Sequence, residues 1–217
     1  MVIPTLNEAA CIGGLLATLL PLVDEVIVAD GGSADDTVGI ARCAGARVAT
    51  SARGRGLQLD AGAAVASHER CWFLHADSSV TGESVDALRR ATGGWGCFET
   101  TVASDDPRLA FAGAWMNARA RWTGRCTGDM GIWCDRALFD SVGGFGALSA
   151  FEDVSFVDRA RAVSSCAVLR PGIVTSARRW AGEGVTATIV KGWTLRLGYR
   201  VGVNPMRLAR SYSSQPR

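Results

Sequence analysis

Residues 25–33 read Glu25-Val26-Ile27-Val28-Ala29-Asp30-Gly31-Gly32-Ser33, and this stretch decides the fold. An unbroken run of β-branched and small apolar residues describes a strand covered on both faces, as a parallel sheet requires. The run stops at a carboxylate and two glycines, where the chain turns sharply and a ligand can approach the backbone. Upstream, Val2-Ile3-Pro4 enters the turn Thr5-Leu6-Asn7-Glu8. Asn7 is placed to cap a helix with apolar positions at Ile12, Leu15, Leu16, Leu19 and Leu20, ended by Pro21. Downstream come a helix near 36–44, a strand at 47–50, an Ala-rich helix over 57–67 and the buried strand Trp72-Phe73-Leu74-His75. Helices alternating with apolar strands predict βαβ units and a mostly parallel sheet.

Past Thr81 the rhythm changes. The pattern predicts a helix over 81–91, a strand over 95–102, a helix over 107–122 and a strand over 131–134. The turn Gly143-Gly144-Phe145, a helix over 153–162, a strand over 166–170 and a basic helical segment to about 208 complete it. No linker or repeat divides the 217 residues, which are expected to form one domain in three parts: 1–80, 81–170 and 171–217.

The charge is uneven. Residues 1–158 hold 12 basic and 20 acidic side chains, whereas 159–217 hold 11 and 1. A basic tail on an acidic body suits phosphate groups or an anionic membrane surface. Nucleic acid is disfavoured, because the arginines are scattered and carry no zinc-finger spacing or RNA-binding aromatic motif. The seven cysteines are odd in number and form no CxxC, as expected of small core residues in a reducing compartment. No signal-peptide pattern opens the chain and no apolar run reaches about 18 residues, so a cytoplasmic protein is expected, with at most peripheral contact at the inner membrane face.

The polar oddities fall at strand ends, where open α/β sheets bind ligands. Asp30 serves either a turn capped by Ser33 or Asp35, or a ligand's base or ribose. No GxGxxG and no Gly-Lys-Ser/Thr loop is present, which argues against a dinucleotide dehydrogenase and a P-loop enzyme. Arg53-Gly54-Arg55-Gly56 beside a helix containing Gln58 is either a solvated loop or a clamp for diphosphate oxygens. His75-Ala76-Asp77 places two polar side chains on one side of an extended segment. Asp77 can hold a divalent cation bridging two phosphates, or merely cap the turn near Thr81. Glu152-Asp153 opens a helix, as a simple cap or as a general base toward an acceptor hydroxyl. In the tail, Arg178-Arg179-Trp180 can neutralise a leaving diphosphate, and 186–199 can pack on the body, dimerise or lie at a membrane surface.

These segments, in this order, resemble the family 2 glycosyltransferases of the GT-A fold. More closely, they are similar to a small bacterial subgroup with a Leu-His-Ala-Asp strand end and a late Arg-Arg-Trp. The resemblance implies an α/β, Rossmann-like domain with a helical C-terminal appendage, binding a UDP- or GDP-sugar. It implies that Pro4, Thr5, Asn7, Glu8, Asp30 and Gly31 line the nucleoside pocket, with Asp30 meeting the base. Arg53, Arg55, Gln58, His75, Ala76, Asp77, Arg178 and Arg179 would complete the donor site. Asp77 would be the last Asp of an Asp-x-Asp motif for Mg²⁺ or Mn²⁺, and Asp153, beside Glu152, the base of an inverting reaction. His75 departs from the first Asp of that motif, and Cys97 stands where the subgroup usually has Arg. The acceptor is an unidentified hydroxyl, lipid-linked if the tail meets membrane. The competing expectations are a nucleotidyltransferase and a nucleotide-sugar-binding protein without turnover.

Overall fold

In the computed structural model, residues 1–148, 150–177 and 184–212 are described. The first third alternates strand and helix: β1 (Val2–Thr5), α1 (Ala9–Leu19), β2 (Ile27–Asp30), α2 (Thr37–Cys43), β3 (Arg47–Thr50) and α3 (Arg55–Val65). There follow β4 (Arg70–Trp72), β5 (Ser78–Ser79), α4 (Gly82–Arg90), β6 (Trp95–Ala103) and α5 (Pro107–Thr123). A 3₁₀ turn at Gly128–Met130 leads into β7 (Trp133–Asp135), α6 (Arg136–Val142), α7 (Glu152–Val163) and β8 (Ala167–Ser176). Helices α8 (Val185–Arg200) and α9 (Pro205–Tyr212) end the described chain.

Strands β1, β2 and β3 pair in parallel with β2 in the middle, and β4-β7-β6-β8-β5 form a mixed sheet. A parallel bridge between Val2 and Phe73 joins the two. The unbroken apolar runs follow from this arrangement, because successive side chains serve two different cores. Val2, Ile27 and Phe73 face α3, α5, α6 and α7. Ile3, Val28 and Leu74 face α1, α2 and α4. Each core includes side chains such as Phe156 and Leu16 with no exposed surface, so the sheet is covered on both faces.

The structure differs from the sequence reading at four places. Asn7 does not cap α1: its backbone is left-handed (φ 57°), its Oδ1 accepts from Ala34 N at 2.8 Å, and its N–H donates to Ser33 Oγ at 2.9 Å. It ties two loops together instead. The strand predicted over 72–75 leaves the sheet after Phe73, which frees His75 to enter a loop. Helix α6 was not anticipated, since seven residues directly after a strand carry too little periodicity to register. Strand β8 runs on to Ser176, past Pro171-Gly172 and beyond the predicted end at 170. The β6–β8 ladder slips between Phe98 and Thr100, and a Cβ at Gly172 would meet the Glu99 carbonyl at 2.3 Å. Glycine is what permits that approach.

A comparable contact fixes α3. A Cβ on Gly56 would lie 2.1 Å from the Gly146 carbonyl oxygen and 3.2 Å from Glu152 Cβ. Gly56→Ala is expected to cost about 1–3 kcal/mol through overpacking, seen as a lower urea midpoint with unchanged slope. Gly14→Ala, exposed on α1 with nothing within 4 Å, is expected to raise the midpoint, by roughly 0.5–1 kcal/mol. A midpoint for Gly56→Ala at or above the wild type would contradict the close packing of α3 on the 146 loop.

Candidate active site

The carboxyl ends of β1 and β2 form the floor of the site. Asp30 is 3% exposed, with Oδ2 accepting from Gly32 N and Ser33 N, both at 2.9 Å, and Oδ1 from Ser33 Oγ at 2.5 Å and Thr5 Oγ1 at 3.4 Å. Burial pushes its carboxyl up, but the hydrogen bonds from Ser33, Gly32 and Thr5 outweigh that and hold the pKa below the usual value. Asp30 therefore stays ionised and shapes the loop that follows it. Gln58, 5% exposed, donates through Nε2 to the carbonyls of Thr5 (2.7 Å) and Ala29 (3.1 Å). It clamps the two strand ends, and a Cβ at Gly31 would collide with it at 2.8 Å. The amide thus supports the floor through backbone contacts. Glu8 N–H is held by Thr37 Oγ1 at 2.8 Å, Pro4 is half-buried within β1, and Arg53 is exposed.

Above this floor lies an ionic cluster. Arg55, in the first turn of α3, pairs with Glu152 Oε1 at 3.2 Å. His75 Nδ1 lies 3.5 Å from Asp129 Oδ1, and the Gly128 backbone stacks so closely that a Cβ there would meet His75 Nε2 at 2.8 Å. Asp153 Oδ2 accepts from Gly128 N at 2.8 Å and Oδ1 from Val154 N at 2.8 Å. Arg55, His75, Gly128, Glu152 and Asp153 line one narrow cleft, open to solvent and backed by Phe73 and Phe145.

The charges explain each other. Burial opposes the Arg55 charge, but Glu152, Asp153, Asp129 and Asp77 more than compensate and raise its pKa. Burial, reinforced by Arg55, lowers the His75 pKa despite the three aspartates, so the imidazole is neutral at pH 7. Glu152 is 4% exposed, and burial raises its pKa against the pull of Arg55, with Asp153 adding to the rise. Its Oε1 makes no hydrogen bond in addition to the ion pair.

Three supports escaped the sequence reading. Asp60 accepts from Phe145 N (2.7 Å) and Gly146 N (2.8 Å), and Arg159 donates to the Gly144 carbonyl at 2.7 Å and to the Val142 carbonyl. Together they fix the turn leading to Glu152-Asp153. The third is Gly128-Asp129, which meets both His75 and Asp153. An Asp in a glycine turn just before a strand was its visible signal. Of the expected site residues, Arg55, His75, Asp77, Glu152 and Asp153 come together, joined by Ala76, which is buried in the turn. Thr5, Asp30 and Gly31 form the adjoining floor, and Arg178 and Arg179 lie outside the described residues.

Residues 1–91 match the family described as Glycosyl transferase family 2. No curated protein sequence matches the chain. Among solved structures, glucosyl-3-phosphoglycerate synthase from Mycobacterium tuberculosis, in complex with Mg²⁺ and UDP, is 21% identical with a TM-score of 0.57, covering 93% of this chain and 78% of that one. S. aureus TarS 1–349 is 18% identical with a TM-score of 0.63, covering 81% and 59%. A mycobacterial protein is 23% identical with a TM-score of 0.59, covering 81% and 63%. The chain thus spans about three fifths of the length of the last two. These likenesses show that the chain shares the fold of these proteins, and its residues 1–91 are similar to the family 2 glycosyl transferases.

Proposed function

We propose that the protein transfers a sugar from a nucleoside-diphosphate sugar to an acceptor hydroxyl with inversion at the anomeric carbon, Asp153 taking the hydroxyl proton. The observation that carries this reading is the Asp153 carboxylate, fixed by two backbone N–H groups at the rim of the cleft shared with Arg55 and His75. A base held this way keeps its direction without being neutralised by a cation. Arg55 faces the charge that develops on the leaving diphosphate, and the buried Glu152 holds Arg55 in place. Pro4, Thr5, Asn7, Glu8 and Gly31 shape the nucleoside pocket around Asp30.

Asp77 and Asp129 offer hard oxygen donors beside a neutral His75, which fits Mg²⁺ or Mn²⁺ better than a soft metal. Among the described residues, the one group of three candidate ligand atoms within 4.8 Å is Cys97, Cys126 and Cys166, none of which lines this cleft. The protein alone therefore offers a partial ligand set here, and the donor diphosphate must complete it. When bound, such an ion neutralises diphosphate charge, as suits the Mg²⁺ and UDP held by the mycobacterial synthase.

Water can replace the acceptor, which allows a test without knowing it. Incubated with a panel of UDP- and GDP-sugars and followed by proton NMR, the protein is expected to release first the sugar anomer opposite to the donor's. First release of the same anomer would contradict inversion. Asp30→Ala is expected to weaken nucleoside-diphosphate binding at least tenfold, read calorimetrically, because Gly32, Ser33 and Thr5 lose a common acceptor. An unchanged dissociation constant would remove Asp30 from the donor pocket.

No helix among the described residues is long and apolar enough to cross a membrane. The tail packs on the body through Leu195 and a stack of Tyr199 on Phe151, with ring centroids 5.1 Å apart. Peripheral membrane contact through this segment rests on exposed Trp193, Leu197 and Met206, and salt-sensitive co-sedimentation with anionic vesicles tests it.

A further inference from the structure

A second, shallow cleft lies across the Asp153 segment from the first and carries four arginines. It is lined by Arg119 of α5, Arg125 and Thr127 of the following loop, Asp158 of α7, and Arg196 and Arg200 of α8. Asp158 is the one acid among these lining residues, and it is shared between Arg125 (3.6 Å) and Arg161 (3.6 Å). Two polar atoms in the cleft, Arg119 Nη2 and Thr127 Oγ1, are buried without a hydrogen bond, and Arg125 Nε has its ion pair with Asp158 but no hydrogen bond. Such groups are costly to bury unpaired, and their clustering on one surface marks a ligand's place. Burial lowers the Arg119 pKa to about 10, with Arg196 and Arg200 contributing through like charge. An anion seated among them relieves that repulsion.

The two clefts meet at the same backbone. Gly128 and Asp153 line the first, while their neighbours Thr127 and Val154 line the second. A group anchored in the second cleft is therefore held beside the proposed base. We propose that this arginine cleft is the acceptor's anchoring subsite and takes a phosphate monoester, so that the acceptor is a phosphorylated alcohol. Several guanidinium groups plus a hydroxyl suit a dianionic phosphate better than a single carboxylate, because each phosphate oxygen can accept from a separate donor. This deepens the transferase reading and rests on it for the word acceptor; the anion site itself does not.

The test is calorimetric titration of the full chain with glycerol 3-phosphate, with glycerate and glycerol as controls, repeated in Arg119→Gln and Arg200→Gln. Vesicles containing phosphatidic acid provide a second arm, separating a lipid-held phosphate from a free one. Binding of glycerol 3-phosphate or of the vesicles is expected, with no binding of glycerol and at least tenfold weaker binding of glycerate. Each substitution is expected to weaken phosphate binding at least fivefold and leave nucleoside-diphosphate binding within twofold. Should Arg119→Gln fail to fold, Arg200→Gln, on the exposed side of the cleft, decides alone. No binding in either arm, or equal binding in the variants, overturns the proposal. Phosphate binding that persists when no nucleotide binds would instead keep the subsite and discard the transferase reading.

Discussion

Asp153→Asn is expected to lower the turnover number by about 10²–10⁴ while the dissociation constant for the nucleoside diphosphate changes less than twofold. Asparagine keeps one of the two oxygens that accept from Gly128 N and Val154 N, so one of these bonds is retained and the side chain keeps its size and place. What it loses is the capacity to accept a proton. Steady-state rates with the donor, together with calorimetric titration of the nucleotide, separate these effects. Equal losses in rate and nucleotide affinity would show that Asp153 shapes the donor site rather than serving as base.

The second large effect concerns the Arg55–Glu152 pair. Removing one partner of a buried pair leaves the other charge uncompensated. Arg55→Met keeps the aliphatic stem and is expected to cost about 1–3 kcal/mol at pH 8, less than a fully buried pair because the Arg55 side chain is 39% exposed. The pH dependence has a definite sign. The Glu152 pKa is already raised in the fold, so the folded state binds this proton more tightly than the unfolded chain. Stability assigned to Glu152 is therefore highest below its unfolded pKa and falls as pH rises through the folded one. Without Arg55 the folded pKa rises further and the loss grows. Melting temperatures from pH 8 down to 5 are expected to converge on wild type for Arg55→Met, and Arg55→Met with Glu152→Gln is expected to lose the pH dependence that Glu152 supplies. A pH-independent deficit in the single variant would show that Arg55 matters by packing alone.

The N-terminal half was legible in the sequence because two covered faces force unbroken apolar runs such as 26–29, and loops such as 30–33 interrupt them with unmistakable turn residues. Asp30, His75 and Asp77 were visible for the same reason, each ending or following a run, and Asp153 because it opens a helix after a loop of small residues. Their partners were not. Gln58 reads as a polar residue on a helix, and nothing local reveals that its amide is spent on two strand-end carbonyls. Nothing near Asp60 in the sequence signals that Phe145 and Gly146 donate to it across 85 and 86 residues. Arg119, Arg125, Arg196 and Arg200 are scattered in sequence, and packing of α8 against the body gathers them. Pairings over such separations are tertiary facts, outside the reach of periodicity.

The central claim is a donor site at the carboxyl ends of β1 and β2, completed by the Asp77 loop. Its most direct test is calorimetric titration with UDP, GDP and CDP, each with and without Mn²⁺ or Mg²⁺. One nucleoside diphosphate is expected to bind in the micromolar range, more tightly with metal, and to lose the metal enhancement in Asp77→Asn. Absence of binding by all three at millimolar concentration, with either metal, would contradict the account.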